Sequence, residues 1–128
     1  MRILLIDDEP GVTDNLELYM RDDAHTIEVL NSIASRQELV RLLKEFQPEG
    51  VTLDFEMDPS GEAVYDWIRA WSRAVPIVFY TKYAGSPIHK NRMLEIGAAA
   101  DQIVAKGEAA RDVTLLLQAL RGAEDSAA

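Results

Sequence analysis

Cysteine is absent from this chain of 128 residues, and histidine occurs only twice. Without cysteine there is no disulfide and no thiolate chemistry, and the scarcity of histidine makes a zinc site a poor hypothesis. The lack of cysteine also favours a cytosolic location, because disulfide frameworks belong mainly to secreted proteins. Oxygen atoms are therefore the natural ligands for any metal that the protein binds.

Basic residues are also scarce: 13 lysines and arginines oppose 22 acidic residues, and the net charge is −9. Such a charge disfavours nonspecific contact with DNA or with anionic membranes, which attract basic surfaces. No run approaches the ~20 apolar residues that a membrane-spanning helix needs, and no secretory signal is visible at the amino terminus. We therefore expect a cytoplasmic protein that contacts neither nucleic acid nor membrane directly.

The pattern of apolar residues predicts one α/β domain. Nearly half of the chain, 48%, is apolar, which is enough for a single core. Apolar runs of four or five residues alternate with segments of helical period, a pattern typical of βαβ units around a parallel sheet. The predicted strands are 2–7, 26–30, 51–54, 77–81 and 102–105, and the predicted helices are 10–21, 35–46, 61–72, 87–96 and 108–121. We expect the domain to cover 1–121 and residues 122–128 to form a tail or the start of a linker.

Four polar residues follow or end the predicted strands. Asp7, Asp54, Thr81 and Lys106 each close a short apolar run. Because the carboxyl ends of parallel strands meet at one edge of a sheet, these side chains are expected to converge there. Each residue alone has an ordinary explanation as a strand-end, turn or solvated residue. Their shared edge is what indicates a functional site.

The acidic residues at this edge predict a metal site. Asp7, Asp8 and Asp54 would repel one another, since two carboxylates about 4 Å apart repel by roughly 4 kcal/mol at an effective dielectric constant of ~20. A cation relieves that repulsion at neutral pH, and Mg²⁺ prefers carboxylates, water and phosphate oxygens. We predict Mg²⁺ bound by these three residues and the main-chain carbonyl of Glu56. Glu9 is a weaker candidate, because acids are common in the first turn of a helix.

The same residues suit phosphoryl transfer. An aspartate carboxylate can attack phosphorus and form an acyl phosphate, which makes Asp54 the candidate nucleophile. Lys106 would neutralise charge on the phosphoryl oxygens, and the Thr81 hydroxyl would donate a hydrogen bond to one of them. The predicted catalytic set is therefore Asp54, Thr81 and Lys106.

Four motifs carry a resemblance to a known family. They are LLIDDEPG at 4–11, TLDFEM at 52–57, IVFYTK at 77–82 and IVAK at 103–106. In this order, over residues 2 to about 121, they resemble the signature blocks of bacterial two-component response-regulator receiver domains. The resemblance implies a (βα)5 doubly wound parallel sheet of the flavodoxin-like type, with strand order 2-1-3-4-5.

The resemblance also implies a function. In this family a sensor histidine kinase or phosphotransfer protein donates a phosphoryl group to the aspartate matching Asp54, with Mg²⁺ held by the residues matching Asp7 and Asp8. The residue matching Thr81 shifts toward the phosphoryl group, and the one matching Lys106 pairs with it. Such a domain is a signalling phosphoacceptor rather than an enzyme, limited to self-catalysed phosphoryl transfer and dephosphorylation. Homodimers through helices four and five are common in the family, and the residues here leave that option open.

Three positions depart from the family pattern. Gly107 follows the lysine where proline is usual, which argues against the family's cis peptide there, since a cis bond before a non-proline residue costs ~2.5–4 kcal/mol. Ile103 occupies the position of the switch aromatic, and Lys82 stands where a small residue is common. A degenerate receiver that docks partners without phosphorylation is therefore the alternative function.

Two further functions receive less support from the sequence. Phosphatases with an aspartate nucleophile usually carry Asp-x-Asp after strand one, whereas this chain has Asp7-Asp8-Glu9-Pro10. A flavin or nucleotide site would need a phosphate loop rich in Gly, Ser or Thr, and the acidic loop here repels phosphate unless a metal intervenes.

A locally basic patch lies after the fourth strand of this acidic chain. It consists of Lys82, His89, Lys90 and Arg92. A docking role is one interpretation, but such charge clusters are more often solvated, and His89 by itself is expected to be an exposed side chain.

Overall fold

The computed structural model describes residues 1–21 and 25–127, in which five parallel strands form one sheet. The strands are β1 (Arg2–Ile6), β2 (Thr26–Leu30), β3 (Gly50–Leu53), β4 (Ile77–Thr81) and β5 (Ile103–Ala105). Their order is β2-β1-β3-β4-β5, and every neighbouring pair is parallel. The predicted doubly wound fold and strand order are confirmed.

Five helices connect and follow the strands. They are α1 (Pro10–Met20), α2 (Arg36–Phe46), α3 (Gly61–Trp71), α4 (Pro87–Ile96) and α5 (Ala109–Ala127). The hydroxyls of Ser35 and Ser60 cap α2 and α3 by accepting hydrogen bonds from Glu38 and Ala63 N–H groups. Proline opens both α1 and α4, where its missing N–H costs nothing.

The last helix extends further than the sequence pattern predicts. We expected it to end at residue 121, but α5 continues through Gly122 to Ala127, and Ala128 lies outside the described residues. A glycine in a helix costs only ~1 kcal/mol relative to alanine, and the residues after it include good helix formers. The predicted helix end at residue 121 is therefore wrong, while the domain boundary and the assignment of residues 122–128 as a tail or the start of a linker stay predictions.

The sheet has a hydrophobic layer on each face. In β1, Leu4 and Ile6 face the core formed with α2, α3 and α4, whereas Ile3 and Leu5 face the core formed with α1 and α5. This alternation follows from the two-residue period of a strand, and burial on both faces explains why β1 and β4 are almost wholly apolar. The carboxyl edge of the sheet is where the buried acids Asp7 and Asp54 lie.

No helix within the described ranges has both the length and the hydropathy needed to cross a membrane.

Candidate functional site: an acidic pocket at the carboxyl edge of the sheet

The main chain brings the predicted site residues to one edge. Asp7 follows β1, Asp54 follows β3, Thr81 ends β4 and Lys106 follows β5. Backbone hydrogen bonds continue the sheet beyond the strands: Asp54 N–H donates to the Ile6 carbonyl at 3.0 Å, and Lys106 N–H donates to the Thr81 carbonyl at 2.9 Å. The positions of these side chains are therefore set by the sheet itself.

A lysine lies between two buried carboxylates. Asp7 and Asp54 are each only 4% exposed. The Nζ atom of Lys106 is 2.7 Å from Asp7 Oδ2 and 3.4 Å from Asp54 Oδ2, and the lysine side chain is 13% exposed. Two negative charges thus face one positive charge in a pocket that excludes most water. The predicted convergence of Asp7, Asp54 and Lys106 is present in the structure.

The acid that follows β3 has a shifted pKa. Burial, reinforced by the charge of Asp7, raises the pKa of Asp54 from 3.8 to about 6, against the opposing effects of Lys106 and the Glu56 N–H. Burial alone would lower the pKa of Lys106, but its hydrogen bond to Asp7 and the charge of Asp54 outweigh burial and raise it. The lysine therefore stays protonated, while the ionised form of Asp54 is disfavoured by its surroundings.

Three consecutive acids offer a site for a cation. Ligand oxygens of Asp7, Asp8 and Glu9 lie within 4.8 Å of one another. Asp7 is buried and its Oδ1 accepts the Glu9 N–H at 3.0 Å, while Asp8 and Glu9 are exposed. An all-oxygen set open to water fits Mg²⁺, which keeps part of its hydration shell. The sequence pattern ranked Glu9 low, but the geometry places its carboxylate with the other two.

The two other predicted metal ligands, Asp54 and Glu56, are not members of this group. Asp54 is not one of the three clustered acids, and it is joined to Asp7 through the shared lysine. The Glu56 side chain points to helix α4, where its Oε1 lies 3.1 Å from His89 Nε2. Coordination of a cation by the Glu56 carbonyl stays a prediction.

The hydroxyl at the end of β4 is buried and bonded to the following loop. Thr81 Oγ1 accepts the Tyr83 N–H at 3.1 Å, and the Tyr83 ring stacks on His89 with centroids 4.4 Å apart. His89 Nδ1 in turn lies 2.8 Å from the Ser86 hydroxyl, so Ser86 contacts this ring and does not cap its helix through the hydroxyl. A continuous set of contacts links Thr81 to the start of α4.

The locally basic patch is largely engaged with acids and aromatic rings. Arg92 pairs with Glu62 and Glu95, and Lys82 lies 5.5 Å from the Tyr83 ring centroid. His89 is partly buried and bonded at both ring nitrogens, so the expectation of a plain exposed side chain is wrong. Sequence alone gives no sign of this, because the partners of His89 come from two different loops.

A further buried acid, Asp112, is bonded to the residue that follows Lys106. Asp112 Oδ2 accepts the Tyr80 hydroxyl at 2.6 Å and the Gly107 N–H at 2.7 Å. Asp112 is only 1% exposed. Sequence reasoning missed this residue, although one signal exists: Asp112 lies four and eight residues before Leu116 and Leu120, in line with the buried stripe of α5.

The peptide bond after the lysine is trans. Among the described residues the cis peptide joins Asp58 to Pro59. The replacement of the usual proline by Gly107 therefore coincides with a trans bond, as expected.

The fold and the pocket together define a class of protein. A parallel sheet of order 2-1-3-4-5, with buried aspartates and a lysine at its carboxyl edge, is a flavodoxin-like α/β domain of the receiver type. The model of the response regulator receiver domain matches residues 3–118, and the chain belongs to that family. It is thus a receiver domain of two-component response regulators.

Solved structures support the fold. A CheY-like response regulator receiver domain from Methanospirillum hungatei superposes with a TM-score of 0.77 at 20% identity, covering 98% of this chain and 94% of that one. The N-terminal signal receiver domain of a two-component response regulator from Bacteroides fragilis gives a TM-score of 0.74 at 27% identity, covering 96% and 95%. Comparison with curated proteins gave no significant match.

Proposed function

We propose that this chain is the phosphoacceptor of a two-component phosphorelay and receives a phosphoryl group on Asp54 from a sensor histidine kinase or a phosphotransfer protein. The observation that carries the proposal is the position of Lys106, whose Nζ lies within 3.4 Å of carboxylate oxygens of both Asp7 and Asp54. Membership of the receiver family supports the same chemistry.

The residues of the pocket have distinct roles in this proposal. An ionised oxygen of Asp54 attacks phosphorus while the bond from phosphorus to the donor atom breaks, and the bonding electrons leave with the donor. Lys106 turns part of its interaction from Asp7 to the phosphoryl oxygens, and the buried Thr81 hydroxyl donates to one of them. Burial of Asp54 limits access of water to the new acyl phosphate.

A divalent cation completes this chemistry. Mg²⁺ held by Asp7 and Asp8, with the Glu9 carboxylate alongside, would neutralise charge on the transferring oxygens. The oxygen-only, partly exposed donor set described above supports this choice of ion over zinc.

Phosphorylation of Asp54 would alter the surface near α4. It adds nearly two negative charges and several acceptor oxygens to the pocket, and the Thr81 hydroxyl can donate a hydrogen bond to one of these oxygens. Thr81 Oγ1 now accepts the Tyr83 N–H at 3.1 Å, and Tyr83 stacks on His89 of α4. Movement of Thr81 toward the phosphoryl group would therefore displace the loop of residues 82–87 and the start of α4.

The proposal includes the nature and location of the protein. It is a signalling phosphoacceptor, not an enzyme that turns over a separate substrate, and the cysteine-free sequence supports a cytoplasmic location. A solved NtrC4 receiver domain activated by beryllofluoride is a dimer. For this chain we propose a homodimer through α4 and α5, supported by Ile88 and Leu115, which are 81% and 45% exposed.

The test is phosphorylation by acetyl phosphate in the presence and absence of Mg²⁺, with intact-mass detection followed by peptide mapping. Wild-type protein should gain one phosphoryl group on Asp54 only when Mg²⁺ is present. The Asp54→Asn variant should gain none, whereas Asp66→Asn, the same change at an exposed position of α3, should behave as wild type. Equal labelling of wild type and Asp54→Asn would contradict the proposal. Sizing of both forms then tests dimerisation.

A degenerate receiver that docks a partner without phosphorylation is the second candidate. Two observations favour it. Ile103 occupies the position where the family has the switch aromatic, and the pair of His89 with Glu56 already connects α4 to the segment that follows Asp54. Phosphorylation of Asp54 that changes neither oligomeric state nor partner affinity would favour this function over the first.

A further inference from the structure

The loop between β5 and α5 is held at two successive peptide N–H groups. Lys106 N–H donates to the Thr81 carbonyl at 2.9 Å, as a continuation of the sheet. Gly107 N–H donates to Asp112 Oδ2 at 2.7 Å, which ties the loop to the first turn of α5. Receivers with the proline that is usual at position 107 cannot form the second bond, because proline has no N–H.

The acceptor of that bond is itself anchored. Asp112 is 1% exposed, and its Oδ2 also accepts the hydroxyl of Tyr80 on β4 at 2.6 Å. Burial, together with the hydrogen bond and charge of Asp112, raises the pKa of Tyr80, so its hydroxyl remains a donor at physiological pH. A buried carboxylate with two short hydrogen bonds is a rigid point between sheet and helix.

The Tyr80 ring also lies near Lys106. The Nζ atom of Lys106 lies 6.0 Å from the centroid of the Tyr80 ring, at the limit of a cation–π contact. Asp112 therefore reaches Lys106 along two routes, through the Gly107 peptide and through the Tyr80 ring.

We propose that Asp112 is a positioning residue for Lys106: it holds the trans loop after β5 so that the lysine ammonium can reach both Asp7 and a phosphoryl group on Asp54. This inference rests on the proposed phosphoacceptor function. In this transfer Lys106 has to release Asp7 Oδ2, now 2.7 Å from its Nζ atom, and bind a phosphoryl group attached to Asp54, whose Oδ2 is now 3.4 Å away. A small displacement of the loop is enough to impair such a transfer, because reacting groups must lie within a narrow range of distance.

The experiment compares Asp112→Ala, which removes the acceptor, with Asp112→Asn, which keeps an acceptor oxygen. Asp66→Ala, the same truncation at an exposed position of α3, is the matched control. For each protein, the rate of phosphorylation by acetyl phosphate is measured across Mg²⁺ concentrations. The resonances of the Gly107 amide and of the Lys106 side chain are recorded by NMR.

Asp112→Ala should lower the rate at saturating Mg²⁺ by about tenfold. The Mg²⁺ concentration for half-maximal rate should change by less than about twofold, since the clustered acids are untouched. Asp112→Asn should recover most of the rate, and Asp66→Ala should match wild type. A wild-type rate in Asp112→Ala, or equal losses in the alanine and asparagine variants, would overturn the proposal.

A second measurement tests the proposal even if Asp112→Ala does not fold. In wild-type protein the Gly107 amide should exchange with solvent far more slowly than the amide of Gly85, which lies in an exposed turn. Tyr80→Phe, which removes one hydroxyl, should shift the Gly107 resonance because both groups share one acceptor oxygen. Fast exchange of Gly107, or no shift in Tyr80→Phe, would overturn the positioning role.

The two proposals fail in different ways. If wild-type protein takes up no phosphoryl group, the proposed function fails, and the resonances then decide the role of Asp112 alone. In that case Asp112→Ala should still shift the Lys106 side-chain signals while Asp66→Ala leaves them unchanged. Unaltered Lys106 signals in Asp112→Ala would contradict the positioning role, whatever the result of the phosphorylation assay.

Discussion

Lys106 is bonded more closely to Asp7 than to Asp54: the Nζ to Oδ2 distances are 2.7 Å and 3.4 Å. The lysine is therefore held chiefly by an acid other than the proposed acceptor, while remaining near it. One positive charge shared by two buried carboxylates leaves a net negative charge in the pocket. The first three predictions below all follow from that residual negative charge.

Replacing the acceptor should stabilise the fold at neutral pH. The pKa of Asp54 is raised to about 6 in the folded protein against 3.8 for an unperturbed aspartate. The folded state thus binds more protons than the unfolded state between these values, and stability falls as pH rises through that window. Asp54→Asn removes the penalty, so its free energy of unfolding should exceed that of wild type by about 1–3 kcal/mol at about pH 8 without Mg²⁺.

The gain should shrink as the pH falls toward about 4, where wild-type Asp54 is protonated. Urea unfolding at several pH values, followed by tryptophan fluorescence, measures both quantities. Asp66→Asn, on the exposed side of α3, serves as the control and should differ little from wild type. An Asp54→Asn variant less stable than wild type at neutral pH would refute the electrostatic interpretation.

Removing the lysine should have the opposite effect. Lys106→Met leaves Asp7 and Asp54 facing each other without a cation, and should lower the free energy of unfolding by about 2–4 kcal/mol at about pH 8. The loss should be smaller in the double variant with Asp54→Asn, because one of the two charges is gone. Lys90→Met, at an exposed position of α4, controls for the change of side chain. If the changes in free energy of unfolding of Lys106→Met and Asp54→Asn simply add in the double variant, the two residues are not directly coupled.

Magnesium should stabilise the protein through the clustered acids. A ligand that binds only the folded state at ten times its Kd raises the free energy of unfolding by about 1.4 kcal/mol. Thermal unfolding at increasing Mg²⁺ should show a saturable rise in Tm, and Asp8→Asn should weaken it because one ligand oxygen of the cluster loses its charge. Asp14→Asn, on the exposed side of α1, should respond as wild type. An identical response in Asp8→Asn would place the cation elsewhere.

The main chain that follows Asp54 should leave no room for a side chain at Gly61, the first residue of α3. A Cβ atom there would overlap the Asp54 carbonyl oxygen and lie 2.5 Å from the Phe55 Cα. Because backbone cannot yield as a flexible side chain can, Gly61→Ala should cost about 2–3 kcal/mol of stability and slow phosphorylation of Asp54. Gly11→Ala in α1 meets no atom within 4 Å and should instead stabilise by about 0.5–1 kcal/mol. Equal stability of the two variants would contradict this packing argument.

Local pattern was sufficient for most of the fold. The two-residue period of short apolar runs and the helical period between them predict parallel strands, and parallel strands bring Asp7, Asp54 and Lys106 to one edge. The boundary of α5 was the exception. We expected α5 to end at residue 121, yet a single glycine at the next position costs too little to end a helix whose following residues favour it.

The amino-acid sequence by itself determined which polar residue ends or follows each strand, and therefore which residues share the pocket. Only the tertiary structure decided which side chains interact. It places Lys106 closer to Asp7 than to Asp54, groups Glu9 with Asp7 and Asp8, and pairs His89 with Glu56. It also buried Asp112 against Tyr80 and Gly107, 32 and five residues away along the chain. The physical reason is that strand ends follow from local backbone periodicity. The partner of a side chain depends instead on its direction and on groups brought near by distant segments.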